Sequence, residues 1–353
     1  MIDSVKLSKD IFIPETYLRP GLWHSYILKD GSDIRVHHYN GVWFCYYPES
    51  GRLKISGKLM KLLENTEVLN VDDIYGLDLP QFIDDLNDFI NTLFTVPIID
   101  VSTFRVSRID YCFNVKTDYV KEYLDFLNNA FRLTDAGQRT NYVQEKNLKG
   151  SVYIKTKSDY KHNERRNYVL NFYDKTDRLQ FLKNNKKKHA IAEYDWAYAR
   201  GVLRLEIQCG FRFVKQICSE FKIEPLFGNM LCYRLAHYAE KTIYERIFHC
   251  RITQDFHSYE AAKSLIPVKS AAARKVLLDA SKGHKINTSQ RAYGRNLIQK
   301  AAVFPFCFLP RDGKLTLLEN PLKLIQRKPE DIGVDMSSLG TVKSYAQIQQ
   351  RHL

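Results

Sequence analysis

Three strand-like segments of this chain carry polar or charged side chains where a buried strand should be apolar. Two of them place an arginine and an acid two residues apart, Arg108 with Asp110 and Arg204 with Glu206. The third, Val169–Arg178, runs into a polar turn. Side chains of a strand alternate between two faces, so residues two apart share a face. Buried charge is costly unless it is paired or binds a metal, and the fold must therefore bring these groups to suitable partners.

We predict that the three segments lie side by side and that their polar side chains form one site. Tyr173 and Lys175 of the third segment share a face and are the candidate nucleophile and a candidate cation. The chain contains 22 tyrosines, and Tyr153 and Tyr168 are competitors for the nucleophile's role. The simpler alternatives are an ordinary strand tyrosine and arginine–acid pairs that only stiffen their strands.

The overall charge indicates a polyanionic partner. The formal net charge is +13, and the chain contains 22 Tyr and 20 Phe. Basic charge combined with many aromatic rings is typical of nucleic-acid-binding proteins, because rings stack on bases. The apolar runs are shorter than the roughly 20 residues that a membrane span needs, and we expect no membrane partner.

Common metal and disulfide motifs are missing from the sequence. The seven cysteines are scattered singly without a Cys-x-x-Cys pair, which predicts free thiols and neither a zinc ribbon nor a disulfide framework. His37 and His38 are adjacent and would point to opposite faces of a strand, so they cannot bind one metal from one side. Two histidines separated by one residue, the metal motif of many DNA-nicking enzymes, do not occur here.

The apolar patterns predict an α+β fold. Period-two alternation in the first 60 residues indicates strands, and apolar residues spaced by three and four over 57–96 indicate helices. Beyond Gly210 the spacing is mostly helical, and residues 267–302 are strongly basic. We expect a mainly antiparallel sheet with helices on one face over residues 1–215, a mostly helical basic region over 216–310 and a C-terminal tail over 311–353.

The polar residues permit cleavage of a phosphodiester by a tyrosine. The phenol must lose its proton, whose pKa is ordinarily about 10, and the charge of the phosphate must be neutralised. Asp110 and Glu206 are the candidate ligands of a divalent metal, Mg²⁺ or Mn²⁺, because these ions prefer oxygen donors. Arg108, Arg204 and Lys175 can hold phosphate oxygens.

A basic hairpin precedes the tyrosine segment. Residues 151–157 alternate as a strand with Lys155 and Lys157 on one face, and Arg165 and Arg166 follow in a basic turn. These four residues are candidate contacts to the DNA backbone. A solvated loop is the simpler alternative for the turn.

Three motifs occur in a characteristic order along the chain. They are Met-Ile-Asp at 1–3, Val-Ser-Arg-Ile-Asp at 106–110, and Gly-Val-Leu-Arg-Leu-Glu at 201–206 followed by residues 211–227. In this order they resemble the filamentous-phage gene II/X family of rolling-circle replication initiators, and the similarity covers roughly residues 1–300. The segment Phe-Tyr-Asp-Lys at 172–175 also resembles the Tyr-Asp-Lys segment of Gram-positive plasmid initiators.

The resemblance implies an initiator that nicks one strand of the origin, stays joined to the 5′ end through a tyrosine and later religates the displaced strand. The matching tyrosine lies in the strand after the basic hairpin and is Tyr173. It also implies a Rep- or relaxase-like nuclease core in residues 1–215. The basic, helix-like segments over 267–302 predict DNA binding in 216–310, as by a helix-turn-helix, with a basic helical packing domain as the simpler alternative. The expected partners are double-stranded and single-stranded origin DNA with host helicase and polymerase, in the host bacterial cytoplasm.

Two other functions remain compatible with the sequence. A relaxase-like nickase for conjugative transfer would use the same chemistry. A non-catalytic DNA-binding regulator or packaging protein would explain the basic charge, but it would not explain acids beside arginines on two separate strands.

Overall fold

The computed structural model describes two compact units. The first contains the described residues of 2–112 and 208–236, and the second contains those of 113–207 and those after 236. Most of the predicted basic region and all but two residues of the predicted tail lie outside the described residues, and the predicted domain boundaries stay predictions. The described residues are 2–64, 66–76, 78–121, 123–124, 140–142, 151–156, 168–185, 191, 193–232, 234–239, 287–290, 293, 307–308 and 316–317.

Antiparallel strands form the sheet of the first unit. Their order is β2-β3-β4-β5-β1-β6, and each neighbouring pair is antiparallel. The predicted α+β fold with a mainly antiparallel sheet is therefore confirmed. The strands are β1 (Ile2–Asp10), β2 (His24–Ile27), β3 (Asp33–Tyr39), β4 (Val42–Tyr47), β5 (Arg52–Gly57) and β6 (Arg105–Lys116). The last four residues of β6 belong to the second unit.

The two faces of this sheet differ, as the alternation of the sequence predicts. In β4, Phe44 and Tyr46 are buried in the core, whereas Trp43 on the other face is exposed. Phe44 is paired with Ile55 of β5 and Trp43 with Ser56, so directly opposite residues continue each face across the sheet. Over β4 and β5, one face consequently buries apolar side chains and the other is turned toward solvent.

Helix α3 covers the apolar face. Its ring of Phe89 lies 5.3 Å from that of Tyr39, which is paired in the sheet with the buried Val42. The helix begins at Leu79, where the side chain of Asp78 accepts a hydrogen bond from the amide of Gln81 at 3.3 Å and so caps the first turn. The described helices are α1 (Met60–Leu63), α2 (Val71–Ile74), α3 (Leu79–Asn91), α4 (Lys175–Asn185), α5 (Glu193–Ala199), α6 (Phe211–Phe221) and α7 (Phe227–Met230).

The second unit contains the end of β6 and four further strands. Their order is β6-β10-β9-β8-β7, with β7 to β9 antiparallel. Gly201 turns the chain into β10 with φ +69°, and its carbonyl accepts a hydrogen bond from Thr117 at 2.8 Å. These strands are β7 (Thr140–Tyr142), β8 (Val152–Thr156), β9 (Tyr168–Asp174) and β10 (Val202–Cys209).

One local prediction is wrong, because Lys175 does not continue the strand of Tyr173. Strand β9 ends at Asp174, and Lys175 is the first residue of α4. The carboxylate of Asp174 accepts a hydrogen bond from the amide of Thr176 at 2.7 Å and so caps the helix. Shared strand alternation therefore does not explain where the Lys175 side chain lies. Among the described helices, none is long and apolar enough to cross a membrane.

Candidate active site

The side chains of Tyr173 and Glu206 meet in the second unit. The hydroxyl of Tyr173 donates a hydrogen bond to Oε2 of Glu206 at 3.3 Å. The two residues lie on the neighbouring strands β9 and β10 and are 7% and 4% exposed, respectively. A buried carboxylate needs hydrogen-bond donors, and the phenol supplies one. The structure thus brings together the candidate nucleophile and one candidate acid.

Asn171 is a member of this cluster that the sequence interpretation missed. Its side-chain amide donates to Oε2 of Glu206 at 3.5 Å, a long contact, and Asn171 itself is buried. Its Oδ1 atom is buried without a hydrogen-bond partner. Asn171 lies two residues before Tyr173 on β9 and so shares its face. The same period-two rule, extended toward the start of the strand, would have identified it.

The second unit buries two cations, Lys175 beside the ring of Tyr173 and Arg204 on the same strand as Glu206. Nζ of Lys175 lies 5.6 Å from the centre of the Tyr173 ring, a geometry in which the cation is attracted to the ring. Arg204 lies two residues before Glu206 on β10, and its Nη1 donates to Oδ1 of Asn114 at 3.1 Å. Both side chains are almost entirely buried, so their charge acts in a weakly screening environment.

The other candidate acid, in the first unit, is held by its own arginine. Nε and Nη2 of Arg108 donate to the two oxygens of Asp110 at 2.8 and 2.6 Å. Ser4, directly opposite on β1, donates to Oδ2 at 2.5 Å. The side chain of Asp110 is 1% exposed and that of Arg108 is 36% exposed. Burial raises the pKa of Asp110, and the hydrogen bonds from Arg108 and Ser4 oppose that rise.

The two acids differ in how well they suit a divalent metal. Both oxygens of Asp110 already accept hydrogen bonds from a guanidinium, which a cation would have to displace. In the second unit, the carboxylate of Glu206 and the unpartnered Oδ1 of Asn171 are oxygen donors of the kind that Mg²⁺ and Mn²⁺ bind. No group of three or more His, Cys, Asp or Glu suited to a metal occurs in the part of the chain that the structure describes. Glu206 and Asn171 are therefore the candidate donors of the second unit for a divalent metal, whose other ligands would be water and phosphate.

The remaining predicted residues are only partly described. Lys157, Arg165 and Arg166 lie outside the described residues. Lys155 is in β8 opposite Val169, and the described part of β8 does not include its side chain. Asp110 and Glu206 belong to different units, so their predicted meeting at one cation stays a prediction.

The two competing tyrosines lie in neighbouring strands. Tyr168 is in β9 and is 7% exposed, the same fraction as Tyr173. Tyr153 is in β8 opposite Asn171. The side chain of Tyr153 is not among those described. Burial does not separate Tyr168 from Tyr173, but the two are five residues apart on β9 and so lie on opposite faces. The contact with Glu206 is the feature that favours Tyr173.

Comparison with known proteins gives a family. No curated protein matches the chain. A family model for the N-terminal part of the phage gene II replication-associated protein matches residues 18–226, which is more than half of the chain and includes both arginine–acid motifs and Tyr173. The match agrees with the phage resemblance of the three motifs. The chain therefore belongs to this family of phage replication-associated proteins, as a gene II-type replication initiator.

Proposed function

We propose that this initiator starts rolling-circle replication by nicking one strand of the origin with Tyr173 and later religating the displaced strand. The observation that carries the proposal is the hydrogen bond from the Tyr173 hydroxyl to the buried carboxylate of Glu206 at 3.3 Å. A carboxylate at that position can accept the phenol's proton as the oxygen attacks. Membership of a replication-associated family supports origin DNA as the substrate.

The proposed step is an in-line transfer of a phosphoryl group. The phenolic oxygen of Tyr173 forms a bond to phosphorus while its proton passes to Glu206, and the bond from phosphorus to the 3′-oxygen breaks. The products are a 5′-phosphotyrosine and, once the leaving oxygen takes up a proton, a free 3′-hydroxyl. In religation, a 3′-hydroxyl attacks the phosphotyrosine and the phenol leaves. No oxidant or further reactant is needed.

Nearby groups provide charge for this step. The ammonium group of Lys175, 5.6 Å from the Tyr173 ring centre, stabilises the phenolate that forms during attack. A divalent metal, held by Glu206 and Asn171, would neutralise the phosphate and the leaving oxygen when bound. Because only 7% of Tyr173 is exposed, neighbouring side chains must move before a phosphate reaches the hydroxyl.

The proposed partner is origin DNA, first as a duplex and then as a displaced single strand. Host helicase and polymerase would act after the nick, since the free 3′-hydroxyl is a primer for synthesis. The predicted basic contacts, Lys155, Lys157, Arg165 and Arg166, together with Arg108, would bind the DNA backbone. The sequence predicts the same role for Arg204, but its side chain is fully buried and donates to Asn114.

Incubation with supercoiled DNA that contains the chain's own origin tests the proposal. With Mg²⁺ present, the wild-type protein should convert the plasmid to the open-circular form and become covalently attached to it. The Tyr173→Phe variant should bind the DNA without nicking it. Tyr168→Phe is the matched control, because Tyr168 lies on the same strand with the same exposure, and it should nick normally. A protein that shifts the DNA in a gel and leaves it supercoiled would be a regulator instead.

A further inference from the structure

The solvent-facing side of the first unit's sheet has the composition of a binding surface. Its residues are placed by strand register, because directly opposite residues share a face: Trp43 lies opposite His38 and Ser56, and Lys6 opposite Ser56 and Arg108. We call this surface the open face. Its rings and cations include Tyr26, His38, Trp43, Tyr47, Lys54 and Lys6.

Aromatic rings on the open face are exposed to solvent. Trp43 is 49% exposed and Tyr26 is 54% exposed, whereas the rings of Phe44 and Tyr46 on the opposite face of β4 are fully buried. The ring of His38 lies 4.3 Å from that of Trp43, so the two form a small aromatic platform. Exposing large rings to water is unfavourable, and several exposed rings on one face of a sheet indicate a partner that covers them.

Exposure on the open face is not uniform. Ile34 and Val36 of β3 belong to this face by register and are nevertheless buried. The positions that a partner can reach therefore form two groups, Trp43 with His38, and Tyr26, which lies on the edge strand β2 opposite the buried Ile34.

Cations accompany the rings. Nζ of Lys54 lies 4.4 Å from the centre of the Tyr47 ring, and Lys54 is exposed. Arg105 is exposed on the same face, opposite Ser8. The acids that share this face are held by arginines, Asp10 by Arg52 at 2.6 Å and Asp110 by Arg108 at 2.6 Å. The open face therefore presents positive charge beside its rings.

We infer that the open face binds single-stranded DNA, with Trp43 and Tyr26 stacking on bases and Lys54 contacting the backbone. Unpaired bases expose flat surfaces that rings can cover, whereas a duplex keeps its bases stacked on one another. Cations beside the rings complement the phosphates of the same strand. The choice of DNA rather than RNA rests on the proposed function, in which nicking and displacement produce a single strand.

Fluorescence anisotropy with labelled oligo(dT) and the full-length protein tests this inference. Trp43→Ala should weaken binding roughly tenfold, as expected for one stacked base. Lys54→Ala should reduce the slope of log affinity against log salt by about 0.7, as expected for one lost phosphate contact to a single strand. Affinity for a duplex of the same length should change little in Trp43→Ala.

A matched control lies on helix α6 of the same unit. Phe211 is 44% exposed, and Nζ of Lys215 lies 4.6 Å from its ring, so this pair reproduces an exposed ring with a cation away from the open face. Phe211→Ala and Lys215→Ala should leave oligo(dT) binding unchanged. The inference is wrong if these variants weaken binding as much as Trp43→Ala does, or if Trp43→Ala binds like the wild type.

A milder variant separates a loss of DNA binding from a loss of folding. Trp43→Phe keeps a ring in the strand, so it should retain most of the affinity while losing the part of the intrinsic fluorescence that oligo(dT) quenches. Unchanged quenching in Trp43→Phe would also contradict the inference. Failure here is distinguishable from failure of the proposed nicking, because Tyr173→Phe should bind oligo(dT) normally and Trp43→Ala should still form the adduct at saturating origin DNA.

Discussion

Two segments with the same sequence pattern, an arginine two residues before an acid, have different surroundings in the two units. In the first unit Arg108 donates hydrogen bonds to both oxygens of Asp110 at 2.8 and 2.6 Å. In the second, Glu206 accepts hydrogen bonds from the hydroxyl of Tyr173 and the amide of Asn171. The charge of Asp110 is thus balanced by its own motif, whereas Glu206 contacts the candidate nucleophile.

This difference separates a structural role from a chemical one. Both oxygens of Asp110 accept hydrogen bonds from Arg108, and Ser4 is its other partner, so among the described residues the structure shows no candidate nucleophile in contact with this carboxylate. A carboxylate that accepts a phenol's hydrogen bond is positioned to take its proton. The comparison predicts that Glu206 matters chiefly for the rate of nicking and Asp110 chiefly for the stability of the fold.

The largest expected effect is on catalysis. Glu206→Gln should reduce the nicking rate by about 10²–10⁴-fold, because the amide keeps an acceptor oxygen but cannot take the proton of Tyr173. Single-turnover nicking of supercoiled origin DNA at saturating protein measures this, and DNA binding serves as the control. A loss smaller than that of Asp110→Asn in the same assay would reverse the assignment of roles.

The next effect is on stability. Asp110→Asn should lower the free energy of unfolding by about 1–3 kcal/mol, because it removes an acceptor oxygen and leaves Arg108 without its carboxylate. Urea denaturation of the full chain measures the change. Asp10→Asn is the control, because Asp10 and its partner Arg52 are both exposed to solvent. It should not shift the midpoint of urea denaturation measurably. Equal shifts in both variants would remove the structural role of Asp110.

The dependence of nicking on the metal concentration should show which of the two acids belongs to the metal site. EDTA should abolish nicking and Mg²⁺ or Mn²⁺ should restore it. Asn171→Leu, which removes the unpartnered oxygen beside Glu206, should raise the Mg²⁺ concentration needed for half-maximal nicking about 10-fold. Asp110→Asn should leave that concentration unchanged. If Asp110→Asn raises it as much as Asn171→Leu does, Asp110 is a ligand after all.

The smallest effect concerns the phenol itself. Tyr173→Phe should change the free energy of unfolding by only about 1 kcal/mol, since one hydrogen bond is lost and the ring stays buried. Urea denaturation alongside Tyr168→Phe measures it. A much larger loss would mean that Tyr173 is chiefly a structural residue whose absence disrupts the unit.

Much of the fold could be predicted from alternation and spacing. The strand from Arg105 to Lys116 and the helix from Phe211 to Phe221 follow from period-two and period-3.6 patterns, which depend only on which face is buried. The placement of Lys175 could not, because the capping hydrogen bond of Asp174 ends the strand one residue earlier than alternation suggests. Local hydrogen bonding overrides a periodic pattern at the end of a strand.

The site could be predicted only in part, for a different reason. Identical motifs predict the same role for both acids, but the partner of each acid depends on the strand that lies beside it. Ser4, which lies opposite Asp110, is 106 residues away in sequence, and Tyr173 and Asn171 are 33 and 35 residues away from Glu206. Such pairings between distant strands are not encoded in local spacing, so the sequence alone does not distinguish the partners of Asp110 from those of Glu206.

The central claim is that Tyr173 is the residue joined to DNA. Nicking of origin DNA should be stopped with denaturant, the DNA digested with nuclease, and the protein cleaved into peptides for mass spectrometry. The nucleotide should remain on the peptide containing Tyr173, with fragment ions placing it on that side chain. A nucleotide attached to Tyr153 or Tyr168, or no covalent adduct from DNA that has been nicked, would contradict it.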